Sequence, residues 1–225
     1  MTTEKRSVHR IGLLIPSSNT VVETEAAQLI PQNGTVTLHY SRFRVTVISS
    51  APDSLNQFTP DTMLDAALLL ADARVDRIAW AGTAASWLGH HRDEALVEEI
   101  QKRTGIKAST AVLAVNSKLR HIGATRIGLV TPYVADLENR IINNYRASGI
   151  DVIASERLNL TVNTDYAAVQ EGVIEDMVRS VAECKPDAVV IMCTNLRFGK
   201  RSRLMTRDFS VPILDSVALT VEACL

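Results

Sequence analysis

The sequence predicts an α/β protein built as two pseudo-symmetric lobes with parallel sheets. Three observations carry that prediction. Short β-rich runs alternate with helical stretches along the chain, the pattern of strands joined by crossover helices. The pattern also repeats. Arg10-Ile-Gly-Leu-Leu-Ile-Pro16 resembles Arg126-Ile-Gly-Leu-Val-Thr-Pro132, and Val75-Asp-Arg-Ile-Ala-Trp-Ala-Gly82-Thr83 resembles Pro186-Asp-Ala-Val-Val-Ile-Met-Cys193-Thr194, at nearly the same offset. Finally, 46% hydrophobic residues in a chain of 225 supply ample apolar surface for a core.

The elements follow in order. Ile11–Ile15 is an apolar strand, and Thr20–Ile30 a helix whose Thr20 and Glu23 have capping-box spacing. Val36–Ile48 is β-branched and reads as one or two strands. Thr62–Ala73 is helical, Arg77–Ala81 a buried strand, and His91–Thr104 a charged amphipathic helix. Ala111–Ile122 is a helix ended by Gly123. Arg126–Val130 is a strand, Asp136–Ser148 a helix, Val152–Leu160 strand-like and Tyr166–Cys184 one long helix. Ala188–Met192 and Pro212–Leu214 close the series as strands. The repeat divides the chain into lobes at 1–115 and 116–210, with 211–225 a candidate to return to the first.

Composition narrows the function classes. Lys+Arg is 24 against Asp+Glu 25, which leaves no excess charge for nucleic acid. No apolar run reaches the length of a membrane span, and Met1–Arg10 lacks the apolar stretch of a signal peptide. Cys184, Cys193 and Cys224 form no CxxC pair, so a zinc knuckle or disulfide framework is not expected. A cytoplasmic protein in a reducing compartment fits this usage. His90 and His91 lack a third ligand at metal spacing and read as a solvated loop. The Arg197, Lys200, Arg201 and Arg203 run reads as a solvated basic face.

In open, Rossmann-like α/β sheets ligands bind beyond the carboxyl ends of the strands. Four such ends carry small or polar residues: Pro16-Ser-Ser-Asn-Thr20, Gly82-Thr-Ala-Ala-Ser86, Thr131-Pro-Tyr133 and Cys193-Thr-Asn195. If the lobes face each other, these loops line one cleft, and their hydroxyls and amides can donate to carboxylate oxygens. Cys193 is the sharpest candidate, since polar donors after a strand can support a reactive thiol; a buried core cysteine is the plainer reading. Its repeat-equivalent is Gly82, so the pair offers one thiol and a bare backbone to approach. A catalytic cleft and a non-catalytic ligand-binding cleft both suit two such lobes.

These residues resemble the aspartate/glutamate racemase superfamily, in its maleate cis-trans isomerase and arylmalonate decarboxylase branch. The likeness is carried by Ile11 to Thr20 with Glu23-Thr-Glu25, Gly82-Thr83 with Ser86, Ser109 to Leu113, Arg126 to Tyr133, Asn163, Cys193 to Leu196 and Val211 to Ser216. The resemblance implies a cofactor-independent enzyme with no metal, acting on a small dicarboxylate, with a homodimer as one possible assembly. It implies Cys193, Tyr133 and Thr83 as catalytic residues. It implies Pro16, Ser17, Asn19, Gly82, Ser86, Asn163, Thr194 and Asn195 as substrate-binding residues. The isomerase pattern carries a nucleophilic cysteine where Gly82 stands. A glycine there with a lone Cys193 is similar to the decarboxylase, in which the single cysteine protonates the carbanion. Ala84 replaces a serine of that pattern, and Thr194 a glycine. The apolar pocket for a departing carboxylate is expected from Leu13, Leu14, Trp87 or Leu88.

Overall fold

The computed structural model describes residues 8–51, 54 and 56–225, so the reading of Met1–Arg10 lies largely outside the described residues. In chain order the elements are β1 (His9–Pro16), α1 (Val22–Leu29), β2 (Val36–Phe43), α2 (Pro60–Asp72), β3 (Arg77–Trp80), α3 (Ala85–Leu88), α4 (His91–Thr104), β4 (Ala108–Thr110) and α5 (Ala111–His121). Then follow β5 (Arg126–Thr131), α6 (Ala135–Ala147), β6 (Asp151–Arg157), α7 (Asn163–Ala167), α8 (Glu171–Ala182), β7 (Ala188–Ile191), α9 (Gly199–Phe209), β8 (Ile213–Asp215) and α10 (Ser216–Glu222). The strands form two parallel four-stranded sheets, ordered β2-β1-β3-β4 and β6-β5-β7-β8. The two orders are the same order, as the sequence repeat predicts.

The repeated aspartates show why the repeat exists. Asp76 Oδ2 accepts the Arg10 N–H at 2.7 Å, and the Asp76 N–H donates to the Arg10 carbonyl at 2.7 Å. Asp187 makes the same pair with Arg126, at 2.8 and 2.7 Å. Each aspartate fixes the start of two neighbouring central strands. Register at the other end of the sheet, where the loops emerge, is thereby fixed too.

The side chains alternate as a pleat requires. Ile11, Leu13 and Ile15 face α1 and α10 in one cluster with Val22, Ala26, Val217 and Val221. Leu14, Ile78 and Trp80 face the opposite side, toward Met63, Leu64 and Leu70 of α2. Residues 211–225 divide: Ile213–Asp215 is an edge strand of the second sheet, while α10 packs on the first sheet's cluster.

Several expected elements differ. Val36–Ile48 is a strand only to Phe43, and beyond it Val47 makes a single antiparallel bridge to Val162. Tyr166–Cys184 is not one helix. Ala168-Val169-Gln170 interrupts it, because Tyr166 is fully buried and its hydroxyl donates to the Leu160 carbonyl at 3.2 Å. That anchors α7 beside the strand ends, while α8 buries Ile174, Met177, Val178 and Val181 elsewhere. The Thr20/Glu23 capping box is absent: the Asn19 Oδ1 accepts from the Val21 and Val22 N–H groups at 2.9 and 3.0 Å. The basic run opens a helix, α9, that buries only Gly199, Ser202 and Met205. Its charges are paired as well as solvated: Arg201 meets Glu175 at 2.8 Å and Arg197 meets Glu25 at 3.8 Å. His90 is only partly solvated, while His91 is exposed. The His90 ring packs edge-on to Tyr145 at 5.3 Å, and burial lowers its pKa.

A buried carboxyl makes stability depend on pH. Asp93 is 3% exposed and accepts the Thr110 hydroxyl, which itself accepts from Leu113 N–H and caps α5. Burial pushes its pKa up to about 7, against a smaller downward pull from Thr110. Asp215 is likewise pushed to about 7 by burial. A folded chain that keeps protons the unfolded chain releases near pH 4 holds that stability in full below pH 4. It loses it as pH rises through 7. Urea denaturation is expected to find the chain less stable at pH 8 than at pH 5 by about 2 kcal/mol or more, and Asp93→Asn to remove about half of that slope.

Candidate active site

The loops beyond β1, β3, β5 and β7 meet where the two sheets face each other. Between them lies a cavity of about 20 Å³, the room of roughly one water molecule. Nine of the expected site residues stand on its wall: Pro16, Asn19, Gly82, Thr83, Tyr133, Asn163, Cys193, Thr194 and Asn195.

Cys193 follows β7 and is 3% exposed. Its sulfur accepts the Asn195 N–H at 3.3 Å. Burial pushes its pKa up to about 12, only partly offset by that N–H and by the Tyr133 hydroxyl. The expectation of a donor-stabilised thiolate is therefore corrected. Desolvation outweighs the donors and α9 does not begin until Gly199, so the surroundings favour the thiol form. Tyr133 is buried and held well above the ordinary tyrosine pKa, by burial first and the neighbouring Cys193 next. Its hydroxyl shares a 2.7 Å hydrogen bond with the Thr83 hydroxyl. The three expected catalytic residues thus converge on one wall.

A chain of amide and hydroxyl contacts joins further residues of the cavity wall. Asn19 Nδ2 donates to Thr194 Oγ1 at 3.4 Å, and Thr194 Oγ1 donates to the Ala81 carbonyl at 2.9 Å. Asn195 Oδ1 accepts the Thr20 N–H at 3.1 Å, and its Nδ2 donates to the Asn163 carbonyl at 2.6 Å. Asn163 Nδ2 donates to Ser18 Oγ at 2.7 Å. All but the Asn195–Asn163 bond join loops of one sheet to loops of the other, so the wall itself fastens the sheets together.

Two expected binding residues turn away. Ser17 Oγ donates to the Val45 carbonyl and accepts the Val45 N–H, which ties the β1 loop to the segment after β2. Ser86 is fully buried and donates to the Thr83 carbonyl at 2.7 Å, a local bond that shapes the turn into α3. Gly82 has no room for a side chain. A Cβ built there would lie 2.1 Å from Trp80 Cζ2, so the indole fills that position while the Gly82 backbone stays on the cavity wall. Of the expected apolar residues only Trp87 stands on the cavity wall. Leu13 lies in the cluster beneath α1, Leu14 in the main core, and Leu88 on a separate chamber of about 420 Å³.

Sequence reasoning missed Ile48, Phe58 and Trp80 on the wall. Ile48 and Phe58 come from the segment between β2 and α2, which carries no motif. Trp80 was legible only as a core residue. Phe58, Trp80 and Ala84 also line the larger chamber, so they form the partition between the two spaces. Among the described residues no cluster of three metal-binding side chains occurs, and no helix is long and apolar enough to cross a membrane.

Paired parallel sheets, a cavity at their facing strand ends and one thiol on its wall define a class of α/β enzyme fold. The chain belongs to the arylmalonate decarboxylase family, whose model matches residues 11–223. It is 29% identical over 221 residues to the maleate isomerase of Nocardia farcinica, covering 93% of this chain and 86% of that one. A solved Nocardia farcinica maleate cis-trans isomerase, a cysteine-to-serine mutant with a covalently bound succinylcysteine intermediate, matches with a TM-score of 0.86. Identity there is 25%, over 96% of this chain and 91% of that one. The arylmalonate decarboxylase of Bordetella bronchiseptica is 22% identical over 216 residues, 95% of this chain and 88% of that one.

Proposed function

We propose that the chain is a cofactor-independent enzyme that decarboxylates a small substituted malonate, with Cys193 as its single acid. The carrying observation is the asymmetry of the cavity: one buried thiol on one wall, and an indole over a glycine at the equivalent repeat position. In this reading the bond from the α-carbon to one carboxylate breaks and carbon dioxide leaves. The electron pair spreads into the retained carboxylate as an enediolate, stabilised by the Thr83 and Tyr133 hydroxyls and by backbone N–H groups near Gly82 and Thr194. The Cys193 thiol delivers its proton to the α-carbon, and the thiolate regains one from solvent. A thiol with a pKa of about 12 is fully loaded for this step near neutral pH. A dicarboxylate does not fit the volume of one water, so the wall must part to admit it. The three unpaired cysteines support a reducing, cytoplasmic setting.

Maleate cis-trans isomerisation is the second reading, favoured by the 29% identity to a maleate isomerase. A succinylcysteine of the kind held by the Nocardia structure requires a thiol that attacks carbon. The isomerase resemblance puts that thiol where this chain has Gly82. The purified chain is expected to release carbon dioxide from substituted malonates and to form no fumarate from maleate. Fumarate without carbon dioxide would assign the isomerase instead, and binding without turnover the non-catalytic relative.

A further inference from the structure

We propose that the indole N–H of Trp87 is a substrate-binding donor that grips a carboxylate oxygen; this rests on the dicarboxylate reading above. Trp87 sits on α3, is 4% exposed and lines the cavity that holds Cys193. Its Nε1 is buried and has no hydrogen-bond partner. Among the described residues it is the one side chain of the cavity wall with such an orphaned atom.

The asparagine side-chain N–H groups of the wall are engaged. Asn19 Nδ2 serves Thr194, Asn163 Nδ2 serves Ser18, and Asn195 Nδ2 serves the Asn163 carbonyl. A buried donor with no acceptor costs folding free energy, and native interiors retain few of them. Trp87 is held in place by its carbon surface: its ring packs edge-on to Tyr133 at 4.7 Å and to Phe58 at 6.2 Å. Packing therefore explains the ring and not the nitrogen. An indole donates and cannot accept, so it selects an acceptor-only group, and a carboxylate oxygen is one. Aromatic neighbours exclude water there, which strengthens the bond once formed. Contact with the Tyr133 ring puts the indole beside the residue whose hydroxyl is assigned to the retained carboxylate.

The test separates the nitrogen from the ring. Trp87→Phe removes the donor and keeps an aromatic side chain. A benzothienylalanine at 87 replaces only the N–H by sulfur, and keeps the proposal testable if the phenylalanine variant folds poorly. Malonate and maleate binding is measured by calorimetry, with thermal unfolding of each free protein alongside. The expected result is binding to the wild-type chain that is weakened at least 10-fold in both variants, the range for a lost charge-assisted hydrogen bond, with unchanged or raised thermal stability. Equal binding by wild type and variants overturns the proposal and leaves the dicarboxylate reading intact. Equal binding with lowered stability also overturns it, and assigns the N–H to a structural water. Failure of the wild-type chain to bind either acid overturns the dicarboxylate reading, and the proposal with it.

Discussion

Cys193→Ser is expected to abolish turnover, by about 10²–10⁴-fold, while the folded chain and its affinity for a dicarboxylate survive. The substitution changes the acid and little else. The Cys193 sulfur is met by the Asn195 N–H at 3.3 Å and by the Tyr133 hydroxyl, contacts that a serine oxygen can also make. The carboxylate donors assigned to binding sit on other residues, so calorimetric affinity should stay within a few-fold. Two further measurements read the state of the sulfur. Burial pushes its pKa up to about 12, which favours the thiol form around neutral pH. The rate should show no alkaline fall-off centred near the ordinary thiol value. Iodoacetamide at pH 8 should label the exposed Cys184 and spare Cys193, because alkylation needs both access and a thiolate. A fall-off near pH 8.5, or rapid labelling of Cys193, would mark a thiolate nucleophile and favour the isomerase reading.

What the sequence made legible follows a physical line. Features fixed by the backbone were readable: strand-helix alternation, the repeated strand starts that Asp76 and Asp187 pin, and the polar residues just beyond strand ends. Features that depend on where a side chain swings were not. Ser17 and Asn19 are two residues apart in one loop, yet Ser17 clips Val45 while Asn19 reaches Thr194. No pattern in Pro16-Ser-Ser-Asn-Thr20 separates them. A helix after Cys193-Thr-Asn195 was expected but its bounds were not legible, because α9 buries only Gly199, Ser202 and Met205, of which one alone is a large apolar side chain. Phe58 reaches the cavity through a connection whose course is set by tertiary packing alone. The partition between the small cavity and the 420 Å³ chamber was invisible for the same reason.

Gly82 and Trp80 should behave as one unit, and this is the second large effect expected. Residues two apart on an extended segment share a face, so an indole at 80 runs along the chain onto position 82. The Gly82 backbone is outside the left-handed region, so no conformational barrier bars a side chain there. The obstacle is the ring: a Cβ would stand 2.1 Å from Cζ2 and 2.5 Å from Cε2 and Cη2. Trp80 is itself wedged against Phe43, with ring centroids 4.9 Å apart. Gly82→Cys is therefore expected to destabilise the chain by about 1–3 kcal/mol, the usual cost of overpacking a core. In a Trp80→Leu background the same change should cost markedly less, even though Trp80→Leu is itself destabilising. The two then couple in a double-mutant cycle read by urea denaturation. Additive costs would show that the indole is not what excludes a side chain at 82. Coupling would mean that the single-thiol character of the site is enforced by packing. A second cysteine introduced for isomerase chemistry would then stand opposite Cys193 only after the indole has been cut back.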